Sequence, residues 1–282
     1  MSRDYWLVRG MKINLEQPRI MGILNLTPDS FSDGGDYFDP AKAVDHVLKM
    51  AEDGADIIDV GAESTRPGSR PVSLAEELGR LMPVLEKIIP AVEIPISVDT
   101  RKAAVAEKAL SIGCSIVNDI SGGQDERLLK AAGRCGAGLV LMHMQGTPQN
   151  MQDNPVYDDV MAEIRGFLST RLRQAAIFGV SEERIVIDPG IGFGKNLEHN
   201  LTVLARINEL AKFSAPVMIG PSRKKFIGQI TGAPVRERLA GTIAAVLSAY
   251  FSGIRIFRVH DVRQVRQALM VAEAIKNAYP GN

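Results

Sequence analysis

Eight short apolar runs punctuate the chain, and each stops on a polar or glycine cluster: ILNLTPDSF, IIDVGAESTRPGS, ISVDT, IVNDISGG, LVLMHMQGTP, IVIDPGIGFGK, VMIGPSRKK and IFRVHD. A short continuous apolar run between turn signals is the pattern of a strand buried on both faces, whose last residues emerge at a rim. The clusters recur roughly every 34 residues from Asn25 to His260, the length of a strand, a helix and two loops. Between the runs the period changes to that of a helix. Val44, Val47, Leu48 and Ala51 mark one expected buried face, and Val262, Val265, Leu269, Ala272 and Ile275 mark another. Gly54, Gly113, Gly136, Gly179 and Gly253 each close a helical stretch before a strand, where a left-handed residue turns the chain back. The alternation predicts an α/β fold, a (β/α)8 TIM barrel whose strand C-terminal ends form the functional face. Residues 1–19 partly alternate without a helix signal and predict a short N-terminal hairpin capping the bottom of the barrel. No linker composition interrupts residues 1–282, which are expected to form one barrel domain.

Composition narrows the function classes. Hydrophobic residues make up 45% and charged residues 23%, enough for a large core and against disorder. Thirty-three basic residues balance thirty-three acidic ones, which argues against a broad nucleic-acid or anionic-membrane footprint, so any anion site must be local. No run approaches a membrane span and the N-terminus lacks a signal-peptide core; a cytoplasmic location is expected. Cys114 and Cys135 lack metal-ligand spacing and are expected to be free buried thiols.

Candidate chemistry gathers at the strand ends. Asn25 opens a Pro-, Ser-, Asp- and Gly-rich loop whose Gly34 and Gly35 could act as hinges; read alone, Asn25 could equally satisfy backbone groups. Arg66, braced by Pro67 and Gly68, can present a fixed guanidinium to a phosphate, or simply be a solvated loop arginine. Asp99, Asn118 with Asp119, and Asp188 end interior strands, where ionised groups are costly to desolvate unless they meet a partner. Converging at one mouth, they suit a flat heterocycle rich in N–H donors, because a carboxylate offers two coplanar acceptors to the edge that guanine and pterin rings share. The glycines of DPGIGFGK lack P-loop spacing and are expected to let backbone lie against a ring that Phe193 helps enclose. Ser222-Arg223-Lys224-Lys225 concentrates cations, and Arg258 and His260 share a strand face, so both can point at one anion.

These motifs, in this order from about Ile20 to about Ala278, resemble those of the dihydropteroate synthase family of bacterial folate synthesis. The resemblance implies a usually dimeric barrel enzyme that joins 6-hydroxymethyl-7,8-dihydropterin pyrophosphate to p-aminobenzoate, with Mg2+ as cofactor. Carried over by position, it implies a pterin pocket of Asp99, Asn118, Met142, Asp188, Phe193, Gly220 and Lys224. It implies a pyrophosphate site of Asn25, Arg66, Arg258 and His260, with Asn25 reaching the metal, and a p-aminobenzoate pocket of Phe31, Thr65, Pro67 and Ser222 beside the Lys224 stem. Asp33 matches a loop aspartate placed near the developing cation. Sulfonamides, as mimics of p-aminobenzoate, are expected to bind. Val246, Leu247, Tyr250 and Phe251 are candidates for the dimer interface. Two alternatives share the fold or the pocket: a pterin-dependent methyltransferase domain, which needs neither Arg66 nor the Arg258 and His260 pair, and a pterin-binding protein without chemistry.

Overall fold

The computed structural model describes residues 3–26, 40–64 and 68–278. Strands β1 (Tyr5–Val8) and β2 (Met11–Asn14) form an antiparallel hairpin. Its two-residue turn has positive φ at Arg9 and Gly10 (46° and 84°), the mirror-image turn that matches strand twist. Arg9 is held there by its own reach: its backbone N–H donates to the Gly136 carbonyl, and its guanidinium donates to the carbonyls of Leu110 and Cys114.

Eight parallel strands follow, β3 (Arg19–Asn25), β4 (Ile57–Gly61), β5 (Ile96–Asp99), β6 (Ile116–Asp119), β7 (Gly138–Met142), β8 (Ile185–Asp188), β9 (Met218–Ile219) and β10 (Ile256–Val259). They pair in the order β8-β7-β6-β5-β4-β3-β10-β9. A parallel bridge between Ile187 and Val217 brings the two ends of the sheet together, so the barrel is nearly closed. Helices α1 (Pro40–Glu52), α2 (Leu74–Ile88), α3 (Ala103–Ser111), α4 (Glu126–Cys135), α5 (Val160–Ile177), α6 (Leu197–Ala205), α7 (Lys225–Thr231), α8 (Leu239–Phe251) and α9 (Val262–Asn277) alternate with the strands, α7 and α8 both lying between β9 and β10. The five glycines expected to reverse the chain all have positive φ.

The barrel interior is layered, and the layering positions the site. Met21, Ile57, Ile116, Val140, Val186, Met218 and Ile256 form the lower layer, which packs on Trp6, Val8, Ile13 and Leu15 of the hairpin region. The hairpin thus plugs the barrel, and Gly138 makes room for it: a Cβ there would stand 2.6 Å from Val8 and 3.0 Å from Trp6. Two positions further along the same strands come Asp59, Asn118, Met142, Asp188, Gly220 and Arg258. Side chains alternate with period two, so these point to the same interior one layer nearer the C-terminal rim.

Three expectations need correction. In α1 the buried stripe is Ala43, Val47 and Met50, while Val44 is half-buried and Leu48 exposed, so the contact line lies one position round the helix. In α9 the stripe holds through Ala272, but Ile275 is 63% exposed. Cys114 is buried, and burial pushes its thiol up to about 12, but Cys135, the last residue of α4, is exposed. No described helix is long and apolar enough to cross a membrane.

Candidate active site

A cleft of ≈ 340 Å³ opens at the C-terminal ends of the strands. Asp99, Asn118, Met142, Asp188, Gly220 and Arg258 line it from strand ends, joined by Ile120, Ile191, Phe193 and Lys224 from the loops. Residues far apart in sequence thus meet at one mouth, and all seven implied ring contacts are among them.

The electrostatics of the floor are dominated by one guanidinium. Arg258 donates through Nε to Asp59 (2.6 Å) and through its terminal nitrogen to Asp99 (2.8 Å), while Asn118 donates to the same Asp59 oxygen (2.9 Å). Burial opposes the Arg258 charge, but Asp59 and Asp99 outweigh it and raise its pKa. Burial pushes Asp99 up to about 7 against the pull of Arg258, whose charge is divided between two carboxylates. Asp188 is pushed up to about 6 by burial, opposed by the Gly190 N–H that it accepts at 2.7 Å and by Lys224. Burial, then Arg258, lowers Lys224 to about 8, and its ammonium lies 3.9 Å from the centre of the Phe193 ring, within cation–π range.

His260 and Ser222 form the rim beside Arg258. Ser222 Oγ accepts from the His260 backbone N–H (3.2 Å) and lies 2.9 Å from His260 Nδ1, within hydrogen-bond distance. Burial, reinforced by Arg258 and Arg223, lowers His260 to about 3. The expected anion-facing pair is therefore one cation, already paired with two carboxylates, beside a histidine that burial keeps uncharged. Of the Ser222–Lys225 cations, Arg223 turns away to Asp261 and only Lys224 lines the cleft.

The glycines of the loop after β8 meet a second constraint. A Cβ on Gly190 would stand 2.0 Å from the His143 carbonyl, on Gly194 2.6 Å from that of Gln145, and on Gly192 2.9 Å from Lys224. These glycines let the loop lie close on neighbouring chain, with Ile191 and Phe193 of the same loop lining the cleft. Lys195 turns inward, with Nζ 3.0 Å from both His143 Nδ1 and the Phe193 carbonyl, and is only 2% exposed. Asp119 is not a cleft residue: its carboxylate accepts from Ser121 and Gly123 and shapes the turn before α4.

Asn25 ends β3 beside Gly61 and outside the cleft lining. Phe31, Asp33, Thr65, Arg66 and Pro67 lie outside the described residues. Among the described residues no three His, Cys, Asp or Glu converge to hold a metal ion. Asn25 offers one hard oxygen there, which fits an ion such as Mg2+ that takes one or two protein oxygens and completes its shell from phosphates and water. Sequence reasoning missed Asp59, the shared partner of Arg258 and Asn118 beneath the cleft. Asp59 was findable, since it sits two residues after Ile57 on an inward-facing strand.

The sequence profile of the pterin binding enzymes matches residues 21–260. The dihydropteroate synthase of Escherichia coli (strain K12) is 45% identical over 270 residues, covering 96% of each chain. The crystal structure of the Yersinia pestis dihydropteroate synthase with a sulfonamide drug complex superposes with a TM-score of 0.93 at 42% identity, over 97% of this chain and 100% of that one. The Thermus thermophilus synthase solved with 4-aminobenzoate gives 0.87 at 44% identity, over 96% and 99%; solved with 6HMPPP it gives 0.85 at 41%, over the same shares. With its acid-lined barrel mouth and these likenesses over nearly its whole length, the chain belongs to the pterin-binding enzyme family and, within it, to the dihydropteroate synthases.

Proposed function

We propose that this dihydropteroate synthase transfers the dihydropterin-methyl group, through its methylene carbon, by a dissociative route in which the cleft grips the ring and the rim holds the leaving diphosphate. The observation that carries the reading is the convergence of Asp99, Asn118, Asp188 and Lys224 on one cleft with Arg258, Ser222 and His260 beside it. Asp188 and Asp99 accept from ring N–H and amino groups, Asn118 completes the edge, and Met142 and Phe193 pack on the faces. The bond between the methylene carbon and the diphosphate oxygen breaks, its electron pair leaving with diphosphate, and the electron-rich dihydropterin carries the cation. The amine nitrogen of p-aminobenzoate then forms the C–N bond and loses a proton to solvent, giving 7,8-dihydropteroate and pyrophosphate.

Arg258, Arg66 and the neutral His260 stabilise the departing diphosphate. Bound Mg2+, held through Asn25 and diphosphate oxygens, would supply further charge neutralisation. Phe31, Thr65 and Pro67 with Ser222 and the Lys224 stem orient p-aminobenzoate and exclude water, and Asp33 adds negative potential near the cation. The enzyme works as a cytoplasmic homodimer. Of the four expected interface residues Val246 and Tyr250 are buried within the chain, while Phe251, Met270, Val271 and Ile275 leave an exposed apolar face on α8 and α9 that supports a dimer.

The test is a pyrophosphate-release assay with dihydropterin pyrophosphate and Mg2+, with and without p-aminobenzoate. Product should require both substrates, and a sulfonamide should suppress it in competition with p-aminobenzoate. Turnover undiminished at saturating sulfonamide would count against the p-aminobenzoate subsite, and no product from the two substrates would remove the reading.

A further inference from the structure

We infer that Asp59 is a positioning residue whose single carboxylate oxygen sets the working orientation of both Arg258 and Asn118. The inference rests on the ring-binding role proposed for the cleft. Asp59 lies on β4, fully buried and absent from the cleft lining. Its partners stand on β10 and β6, each two strands away in the barrel order, so its hydrogen bonds span the interior from β6 to β10.

Both contacts act on direction. Arg258 has a long, flexible stem, and fixing Nε on Asp59 at 2.6 Å together with one terminal nitrogen on Asp99 at 2.8 Å sets the guanidinium plane. The Asp59 oxygen that accepts from Arg258 also accepts from the Asn118 NH2 at 2.9 Å, which leaves the amide oxygen for a ligand N–H. A fully buried carboxylate is costly to fold around unless charge and hydrogen bonds compensate it, and both compensating partners here are cleft residues. A single oxygen thereby aligns one group expected to meet the ring, Asn118, and one expected to hold the diphosphate beside it, Arg258, before any ligand arrives.

The test measures 6-hydroxymethylpterin affinity by calorimetry and KM for p-aminobenzoate in four single variants, Asp59→Asn, Asp59→Glu, Asn118→Ala and Arg258→Ala, and in the double variant Asp59→Asn/Arg258→Ala. Asp59→Asn keeps the shape and removes the charge-assisted bonds, so ring affinity should fall roughly tenfold or more while KM for p-aminobenzoate moves less than about twofold. Asp59→Glu keeps the charge but displaces the oxygen, and should fall as far; it carries the same test where Asp59→Asn yields too little folded protein. In an Arg258→Ala background Asp59→Asn should cost much less than in the native chain, a non-additivity that a purely structural role would not produce. Wild-type ring affinity in either Asp59 variant, or rescue by Glu alone, would overturn the inference. If Asn118→Ala also binds the ring normally, the cleft assignment itself fails; if it weakens binding and the Asp59 variants do not, only the positioning role is lost.

Discussion

Alanine at Gly190 would test how the loop after β8 is held against the barrel. Gly190 has φ of 70°, and its backbone N–H donates to Asp188 at 2.7 Å. A Cβ there would lie 2.0 Å from the His143 carbonyl oxygen, so the two backbones must separate by about 1 Å before any normal contact is reached. Gly179 supplies the control: its φ is 83°, a Cβ meets nothing within 4 Å, and it sits in the turn between α5 and β8, away from the mouth. A left-handed alanine costs about 1–2 kcal/mol, partly offset by a stiffer unfolded chain, so Gly179→Ala should lose about 1 kcal/mol. Gly190→Ala carries the same strain and also gives up a hydrogen bond to a carboxylate, worth about 1.5–3 kcal/mol, so it should lose about 3 kcal/mol or more. Urea unfolding of the two variants measures that difference. Calorimetry with 6-hydroxymethylpterin should show ring affinity reduced roughly tenfold or more in Gly190→Ala, because Asp188 and Phe193 ride on the displaced loop. A Gly190→Ala protein as stable as Gly179→Ala, with unchanged ring affinity, would refute the argument that this backbone contact holds the site.

Other consequences follow from the same geometry. Lys224→Ala and Asp188→Ala should each remove most activity in the pyrophosphate-release assay, and near-normal kinetics in both would end the pocket assignment. Arg258→Ala should weaken diphosphate binding and also leave Asp59 and Asp99 buried without their shared cation, at a cost of about 3–5 kcal/mol in urea unfolding. A stable variant with normal substrate binding would contradict that. Asp188 is pushed up to about 6 by burial, so it is ionised above that pH and protonated below it. Ring N–H groups need the ionised acceptor, hence pterin affinity should decline as pH falls from 8 through 6; Asp99, pushed up to about 7, contributes in the same range, so the decline should become shallower in Asp188→Asn without vanishing. An equally steep decline in Asp188→Asn would assign the effect elsewhere.

How much was legible in advance depended on whether a feature is local. Eight apolar runs ending in polar clusters, and glycines closing the helices, are short-range patterns; they gave the strand count, the alternation and the rim to which Asp99, Asn118 and Asp188 belong. The hairpin plug was legible for the same reason, since its partial alternation needs no distant partner to be read. Asp59 escaped because it lies inside an apolar run, and only its shared inward parity with Ile57 marks it. Leu48 and Ile275 were misplaced because a helix's buried stripe is chosen by what packs on it, and a periodic pattern leaves a residue of freedom either way.

Pattern and composition by themselves determined that this chain is a barrel with acids, amides and cations at one end of its strands. Only the closed tertiary structure decided which charges oppose which. Arg258 is committed to Asp59 and Asp99 from strands remote in sequence, His260 is neutral because it is buried beside cations, and the glycines after Asp188 accommodate His143 and Gln145. The reason is physical: strand and helix periods are properties of successive residues, whereas desolvation and Coulomb pairing depend on through-space distances that exist only once the sheet has curled on itself.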